Sequence, residues 1–216
     1  MDFSTAWGDL LAAVAALDAA DFAQPSGCAG WLVRDLVCHL VIDAQDVLIT
    51  LATPAAGPAT RDAASYWTVG NAPPTGDDPL DALTVRLAAA YEDPALLQFH
   101  LDDVGSAAGR AAALADRAAP VRTQGEVLRV GDYLDAYVLE ATLHHLDLVA
   151  HLDRPGPAAA SRAAARALLE RIAAAKFPAA WPDAEALQVG TGRRPLTPDL
   201  AADLGELAER VPLILG

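Results

Sequence analysis

The segment from Gly131 to Leu152 constrains the possible fold more than any other part of the chain. Its sequence is GDYLDAYVLEATLHHLDLVAHL, and its largely apolar composition predicts a helix of about six turns. At 3.6 residues per turn, Glu140 and His144 lie about 40° apart around the axis and about 6 Å apart along it. Both side chains can therefore reach one point.

The same face of this predicted helix also carries Tyr133, Asp147 and His151, so acids and imidazoles alternate along it. Burying such a row is costly unless the groups are paired or bind a cation. A carboxylate and an imidazole that reach one point form half of a divalent metal site. The alternative is a solvated face, because acid and base four residues apart are ordinary helix stabilisers. The spacing leaves both interpretations open until a third ligand is found.

Composition narrows the class of protein. The chain has 216 residues, of which 53% are apolar and 20% are charged, which is typical of one large globular domain, with or without a small appendage. The formal charge of −14 argues against nucleic acid and anionic membranes as partners. Two cysteines do not make a disulfide framework. Without a basic leader or a long uncharged apolar run, we expect a cytoplasmic protein.

Apolar residues at helical spacing predict a mainly helical N-terminal part, in which Ser4 is a possible first cap. The connection from 54 to 79 is rich in Pro and Gly, and its Tyr66 and Trp67 could either wall a pocket or pin the loop to the bundle. VRTQGEVLRV predicts a hairpin that turns at Gln124 and Gly125. The predicted helices before the hairpin span about 4–22, 30–51, 80–91, 94–103 and 106–117.

After Leu152, DRPGPAAA is a linker-like break. We expect residues 1–152 to form the bundle and 153–216 to form a small α/β segment that packs back on it. This segment contains a predicted helix over 161–176, a short strand at ALQVG and a helix capped by Thr197.

Two motifs carry a resemblance to a known family. WLVRDLVCHL (Trp31–Leu40) and VGDYLDAYVLEATLHHLDL (Val130–Leu148) resemble the DinB-like superfamily, specifically its mycothiol-dependent maleylpyruvate isomerase branch. The resemblance covers nearly the whole chain and implies a mainly α, DinB-like four-helix bundle with a small α/β C-terminal appendage. It also implies a divalent metal, usually taken as zinc, bound by His39, Glu140 and His144.

The resemblance implies a class of chemistry as well. Two imidazoles and one carboxylate leave a coordination position open, as in catalytic zinc sites. Mycothiol or a similar thiol would bind there as a thiolate and attack a small electrophile, in a thiol S-transferase or a thiol-dependent isomerase. The alternatives are a metal-dependent hydrolase that uses metal-bound water and a non-catalytic metal-binding stress protein. We expect a thiol and a small electrophile as partners, and a monomer or homodimer.

Five further residues are assigned to the predicted site, and Asp35 is an additional candidate. Asp147 would orient His144 through its other ring nitrogen, as Asp35 would orient His39, unless both acids are only helix-surface partners.

Arg193 and Arg194 could reach a carboxylate of the substrate or cofactor, although at least one of them is expected to be a surface charge. Tyr137 stands where many members of the family have an arginine. We assign Tyr137 and Trp67 to binding the thiol, and Asp147, Arg193 and Arg194 to catalysis.

Overall fold

Helices make up most of the fold. The computed structural model describes residues 2–70, 72, 75 and 79–216. Within these residues the chain forms eight α-helices, which confirms the mainly helical prediction. They are α1 (Phe3–Ala15), α2 (Val33–Leu51), α3 (Pro79–Ala89), α4 (Pro94–Leu114), α5 (Val130–Leu148), α6 (Ala159–Ala173), α7 (Asp183–Gly190) and α8 (Pro198–Leu204).

Short strands form two small antiparallel sheets, each of two strands. They are β1 (Val69–Gly70), β2 (Pro120–Thr123), β3 (Glu126–Arg129) and β4 (Ile214–Leu215). Strands β2 and β3 form the predicted hairpin, and its turn residues Gln124 and Gly125 both have positive φ, as a two-residue turn of the favoured hand requires. Strand β1 pairs antiparallel with β4, which ties the C-terminal end to the long connection before α3.

The four-helix bundle consists of α1, α2, α4 and α5. Helices α1 and α4 approach closely at Gly105, whose carbonyl accepts a hydrogen bond of 2.9 Å from the indole of Trp7. A Cβ at Gly105 would lie only 2.8 Å from Leu11 Cδ2. This glycine therefore serves packing and does not end a helix. For that reason α4 continues to Leu114, and the prediction of two helices broken near Asp103 was wrong.

Helix α5 is buried on nearly every side, because the bundle covers one face and the C-terminal segment covers the other. Tyr133 and Leu134 belong to the bundle core. Leu139, Leu143 and Leu146 belong to a second core, which they form with α6, α7 and the residues that follow. Both parts of the chain therefore cover α5, the helix that carries Glu140 and His144. A domain boundary at residue 152 stays a prediction.

The C-terminal segment is more helical than expected. The strand predicted at ALQVG is wrong, because residues 186–190 lie in α7. Pro182 is the N-cap of this helix, and Asp183 and Glu185 in its first turn complement the helix dipole. Residues 153–216 are all described, and β4 is their only strand. The predicted cap at Thr197 is confirmed, since its side chain accepts from the N–H of Leu200.

Both ends of α1 differ from the sequence prediction. Helix α1 is capped by Asp2, whose carboxylate accepts from the N–H of Thr5 at 2.9 Å, and Ser4 lies inside the helix. The helix ends at Ala15, well before residue 22. Part of the predicted connection over 54–79, namely residues 71, 73, 74 and 76–78, lies outside the described residues. In the described part of the chain, no helix has the length and apolarity needed to cross a membrane.

Candidate metal centre

Two helices bring four possible metal ligands together. His39 and Asp43 lie on α2, and Glu140 and His144 lie on α5. One ligand atom from each residue lies within 4.8 Å of those of the other three. The structure thus places the three predicted ligands in one cluster, and their role as ligands stays a prediction. Sequence reasoning missed Asp43 as a member of the site, although its position four residues after His39 was a usable signal.

Helix geometry holds the cluster from both sides. On α5, Nε2 of His144 lies 3.0 Å from Oε1 of Glu140. On α2, Nε2 of His39 lies 3.5 Å from Oδ1 of Asp43. The two imidazole rings meet edge to face with their centroids 4.9 Å apart. Each helix therefore contributes one pair of residues at i and i+4, and the packing of α2 against α5 joins the pairs.

The burial of the cluster fits a bound cation. The side chain of Asp43 is 8% exposed, and its Oδ2 has no hydrogen-bond partner among the described residues. A buried carboxylate oxygen without a partner is costly, and an ion is one way to satisfy it. Two imidazoles and two carboxylates are donors that zinc and similar divalent ions accept. His39 and Glu140 are about a quarter exposed, so one side of the cluster faces solvent.

The charges of the cluster also favour a cation. Burial opposes a charge on His144, but the carboxylates of Glu140 and Asp147 outweigh it and raise the pKa of His144 well above 6.5. Burial likewise opposes a charge on Glu140, but the imidazole of His144 outweighs it and holds the pKa of Glu140 below its usual value. Without an ion, His144 therefore carries a proton that a metal would have to displace.

Asp147 lies behind His144, on the side away from Glu140. Its Oδ2 lies 3.4 Å from Nδ1 of His144. The guanidinium of Arg193 donates two hydrogen bonds to the same carboxylate, at 2.9 and 2.8 Å. Burial would raise the pKa of Asp147, but the adjacent imidazole of His144 and the charge of Arg193 lower it to about 2. Asp147 is thus a buried anion that faces Nδ1 of His144, the ring nitrogen that points away from Glu140.

The loop before α2 closes over this carboxylate. The thiol of Cys28 donates to Oδ2 of Asp147 at 3.4 Å, and burial raises the pKa of Cys28, so it is a neutral thiol near pH 7. The N–H of Gly27 donates to the backbone carbonyl of Asp147 at 2.8 Å. Sequence reasoning missed both contacts, because they join residues more than a hundred positions apart.

The Gly27 contact yields a prediction. A Cβ at position 27 would lie 2.6 Å from Oδ1 and 2.9 Å from Cα of Asp147, and the backbone atom cannot rotate away. We expect Gly27→Ala to destabilise the protein by about 1–3 kcal/mol, as overpacking does. Chemical unfolding in urea measures this. Gly8→Ala is the matched control, because Gly8 lies in α1 with nothing within 4 Å of its added Cβ and should gain up to about 1 kcal/mol. Equal changes at both positions would contradict the packing argument.

Two of the other predicted residues have structural contacts of their own. Arg194 pairs with Glu185 at 2.9 Å on the surface, as expected for one of the two arginines. Asp35 accepts a hydrogen bond of 2.8 Å from the N–H of Leu32 and thereby caps α2, which begins at Val33. The expectation that Asp35 orients His39 is replaced by this capping role.

Tyr137 and Trp67 lie outside the four-residue cluster. The ring of Tyr137 is buried and packs against Tyr133, with their centroids 4.8 Å apart. Trp67 packs edge-on against Tyr66 at 5.2 Å and lines a surface depression beside the turn of the hairpin. Burial, and then the negative charge of Glu140, raise the pKa of Tyr66 to about 12. The charge of Glu140 therefore acts on Tyr66, the ring against which Trp67 packs.

Comparison with known families found a match to most of the chain. The family model described as the mycothiol maleylpyruvate isomerase N-terminal domain matches residues 3–149. This range runs from the start of α1 past the end of α5 and contains all four clustered residues, whereas Arg193 lies beyond it. No curated protein and no solved structure matches the chain. Because the matched range covers well over half of its length, the chain belongs to the mycothiol maleylpyruvate isomerase N-terminal domain family.

Proposed function

We propose that this protein is a divalent-metal-dependent enzyme that uses a low-molecular-weight thiol of the mycothiol type to attack a small electrophile. The reaction would be S-transfer or thiol-dependent isomerisation. The observation that carries the proposal is the cluster in which His39, Glu140 and His144 share one partly open space. Family membership supports the choice of thiol, because the description of the family names mycothiol.

His39, Glu140 and His144 would hold the ion, and zinc is the species we expect from their chemistry. When bound, the ion supplies the positive charge that keeps a coordinating thiol deprotonated at neutral pH. The chain itself supplies orientation. Asp147 faces Nδ1 of His144 and so favours the tautomer with the proton on that nitrogen, which leaves Nε2 free toward Glu140.

Arg193 acts in this scheme as a positioning residue. Its guanidinium is committed to the carboxylate of Asp147 by two hydrogen bonds, so it fixes the group that orients His144. Its positive charge also favours the ionised form of Glu140. Arg194 pairs with Glu185 at the surface, which favours a structural role for it.

We further propose that the thiol binds along the Glu140 side of the cluster. The charge of Glu140 raises the pKa of Tyr66, and Trp67 packs on the ring of Tyr66. The ring of Tyr66 also packs edge-on against Tyr133, which in turn packs against Tyr137. Trp67 would thus form an outer wall of the thiol site, and Tyr137 would support it from the core.

A thiol assay tests the proposed function. We expect the zinc-loaded protein to consume mycothiol or a smaller cysteine-containing thiol in the presence of small electrophiles such as activated alkenes. Chelation should stop the consumption, and Glu140→Gln should lower it by at least about 100-fold if it removes a ligand. Turnover of the substrate without any thiol would favour a hydrolase. An absence of metal-dependent thiol consumption across the panel would contradict the proposal.

A further inference from the structure

Asp43 is a buried carboxylate to which the proposed function gives no role. It lies one helical turn after His39 on α2, so the two side chains share a face. Its side chain is 8% exposed. Its Oδ1 lies 3.5 Å from Nε2 of His39, and its Oδ2 has no hydrogen-bond partner among the described residues.

A contact with His39 alone does not account for this arrangement. The distance of 3.5 Å is longer than a normal hydrogen bond, and it leaves the second oxygen unsatisfied. In addition, the carboxylates of Asp43 and Glu140 come within 4.8 Å of one another. Two carboxylates at that separation in a largely buried cluster repel each other unless a proton or a cation lies between them.

The charge balance of the site points the same way. With neutral imidazoles and before a thiol binds, a divalent ion bound by His39, Glu140 and His144 would leave one net positive charge in a largely buried site. A second carboxylate cancels it. Because uncompensated buried charge is costly, a neutral set of ion and ligands is favoured.

We propose that Asp43 is a fourth protein ligand of the ion, which makes the donor set two imidazoles and two carboxylates. This inference rests on the proposed function, since it concerns the same ion. It revises the expectation of a three-ligand zinc with one open position. With four protein ligands, a tetrahedral ion has no free position, so a thiol would need a fifth.

Zinc binding to the full-length protein tests the assignment. Asp43→Asn keeps the size of the side chain and removes its charge. We expect it to weaken zinc binding by at least about 100-fold, more than is typical for a group that only orients a ligand. Asp46→Asn is the matched control, because Asp46 lies on the same helix, is exposed and is not part of the cluster. Competition with a chromophoric chelator measures both affinities. Unchanged zinc affinity in Asp43→Asn would overturn the assignment.

A substitution of Asp43 could lower zinc affinity by disturbing the fold. A second measurement therefore distinguishes the loss of a ligand from a change in folding. Circular dichroism first compares the helix content of Asp43→Asn, Asp43→Ala and wild type. The visible absorption of the cobalt(II)-loaded protein then reports its ligands directly. We expect the bands to change in both Asp43 variants and to stay unchanged in Asp46→Asn. Identical cobalt spectra in wild type and the Asp43 variants would also overturn the assignment.

The outcomes separate this inference from the proposed function. If zinc binding depends on Asp43 and no thiol is consumed, the proposed function fails and the ligand assignment stands. If thiol consumption requires zinc, but neither the zinc affinity nor the cobalt spectrum changes in the Asp43 variants, only the assignment fails. A wild-type protein that binds neither ion contradicts both.

Discussion

Replacing His144 with alanine is expected to abolish stoichiometric zinc binding. His144 lies at the centre of the cluster, because its ring contacts His39 at a centroid distance of 4.9 Å and its Nε2 lies 3.0 Å from Glu140. Removal of a partner that merely orients a ligand typically costs 10–100-fold in metal affinity, so loss of the ligand should cost at least about 100-fold. Elemental analysis after zinc loading and gel filtration measures the retained metal.

His151→Ala is the control for this substitution. His151 lies just beyond α5 and is exposed, and it was predicted from the sequence to share the face of Glu140. Its removal should leave one zinc per chain. If His144→Ala retained zinc as well as His151→Ala does, the cluster would not be the binding site.

Asp147→Asn is expected to weaken both the fold and the metal site. The side chain of Asp147 is 2% exposed and receives two hydrogen bonds from Arg193, which would be left as an unpaired and largely buried charge. Breaking such a pair typically costs 3–5 kcal/mol, and because Arg193 is partly exposed we expect a loss of about 3 kcal/mol. Zinc affinity should fall about 10–100-fold, because His144 loses the group that orients it. Urea unfolding and chelator competition measure the two effects.

The pH dependence of stability also tests the role of Asp147, because stability should fall as the pH is lowered. The pKa of Asp147 falls from 3.8 in the unfolded chain to about 2 in the folded protein. Its stabilisation is therefore fully present above pH 3.8 and is lost as the pH falls through 2. Because each tenfold change in acid dissociation is worth about 1.4 kcal/mol, this contribution is about 2 kcal/mol. Between pH 4 and 2, wild type should lose this amount relative to Asp147→Asn.

Arg194→Gln is the matched control for the buried pair. It breaks the ion pair with Glu185, in which the side chain of Arg194 is half exposed. Exposed pairs contribute about 0–1 kcal/mol, so we expect little change in stability and none in zinc affinity. If Asp147→Asn behaved like Arg194→Gln, Asp147 would not hold His144 in place.

Local spacing was enough to predict one half of the candidate site. The 3.6-residue period places Glu140 and His144 on one face of α5, and the structure keeps them there at 3.0 Å. The position of His39 beside them could not be derived from spacing, because it depends on how α2 crosses α5. The family resemblance supplied it. The hairpin was also predictable, since Gln124 and Gly125 adopt the positive φ that such a turn needs.

Long-range packing explains what the sequence did not show. Arg193 contacts Asp147 although the two are 46 positions apart in the sequence, and Cys28 contacts it over a separation of 119 positions. No local sequence pattern could therefore reveal either contact. The predicted strand at ALQVG failed because short apolar runs fit a strand and a buried helix equally well. The bidentate pair between Arg193 and Asp147 shows that the C-terminal segment, which lies outside the matched family domain, contributes to the surroundings of the site.

Anomalous diffraction at the zinc edge, from crystals of the zinc-loaded protein, tests the central claim most directly. We predict a single strong peak between α2 and α5, within about 2.0–2.2 Å of a ring nitrogen of His39, a ring nitrogen of His144 and a carboxylate oxygen of Glu140. A peak bound by only one of these helices, or a fully loaded crystal with zinc at other residues, would contradict it.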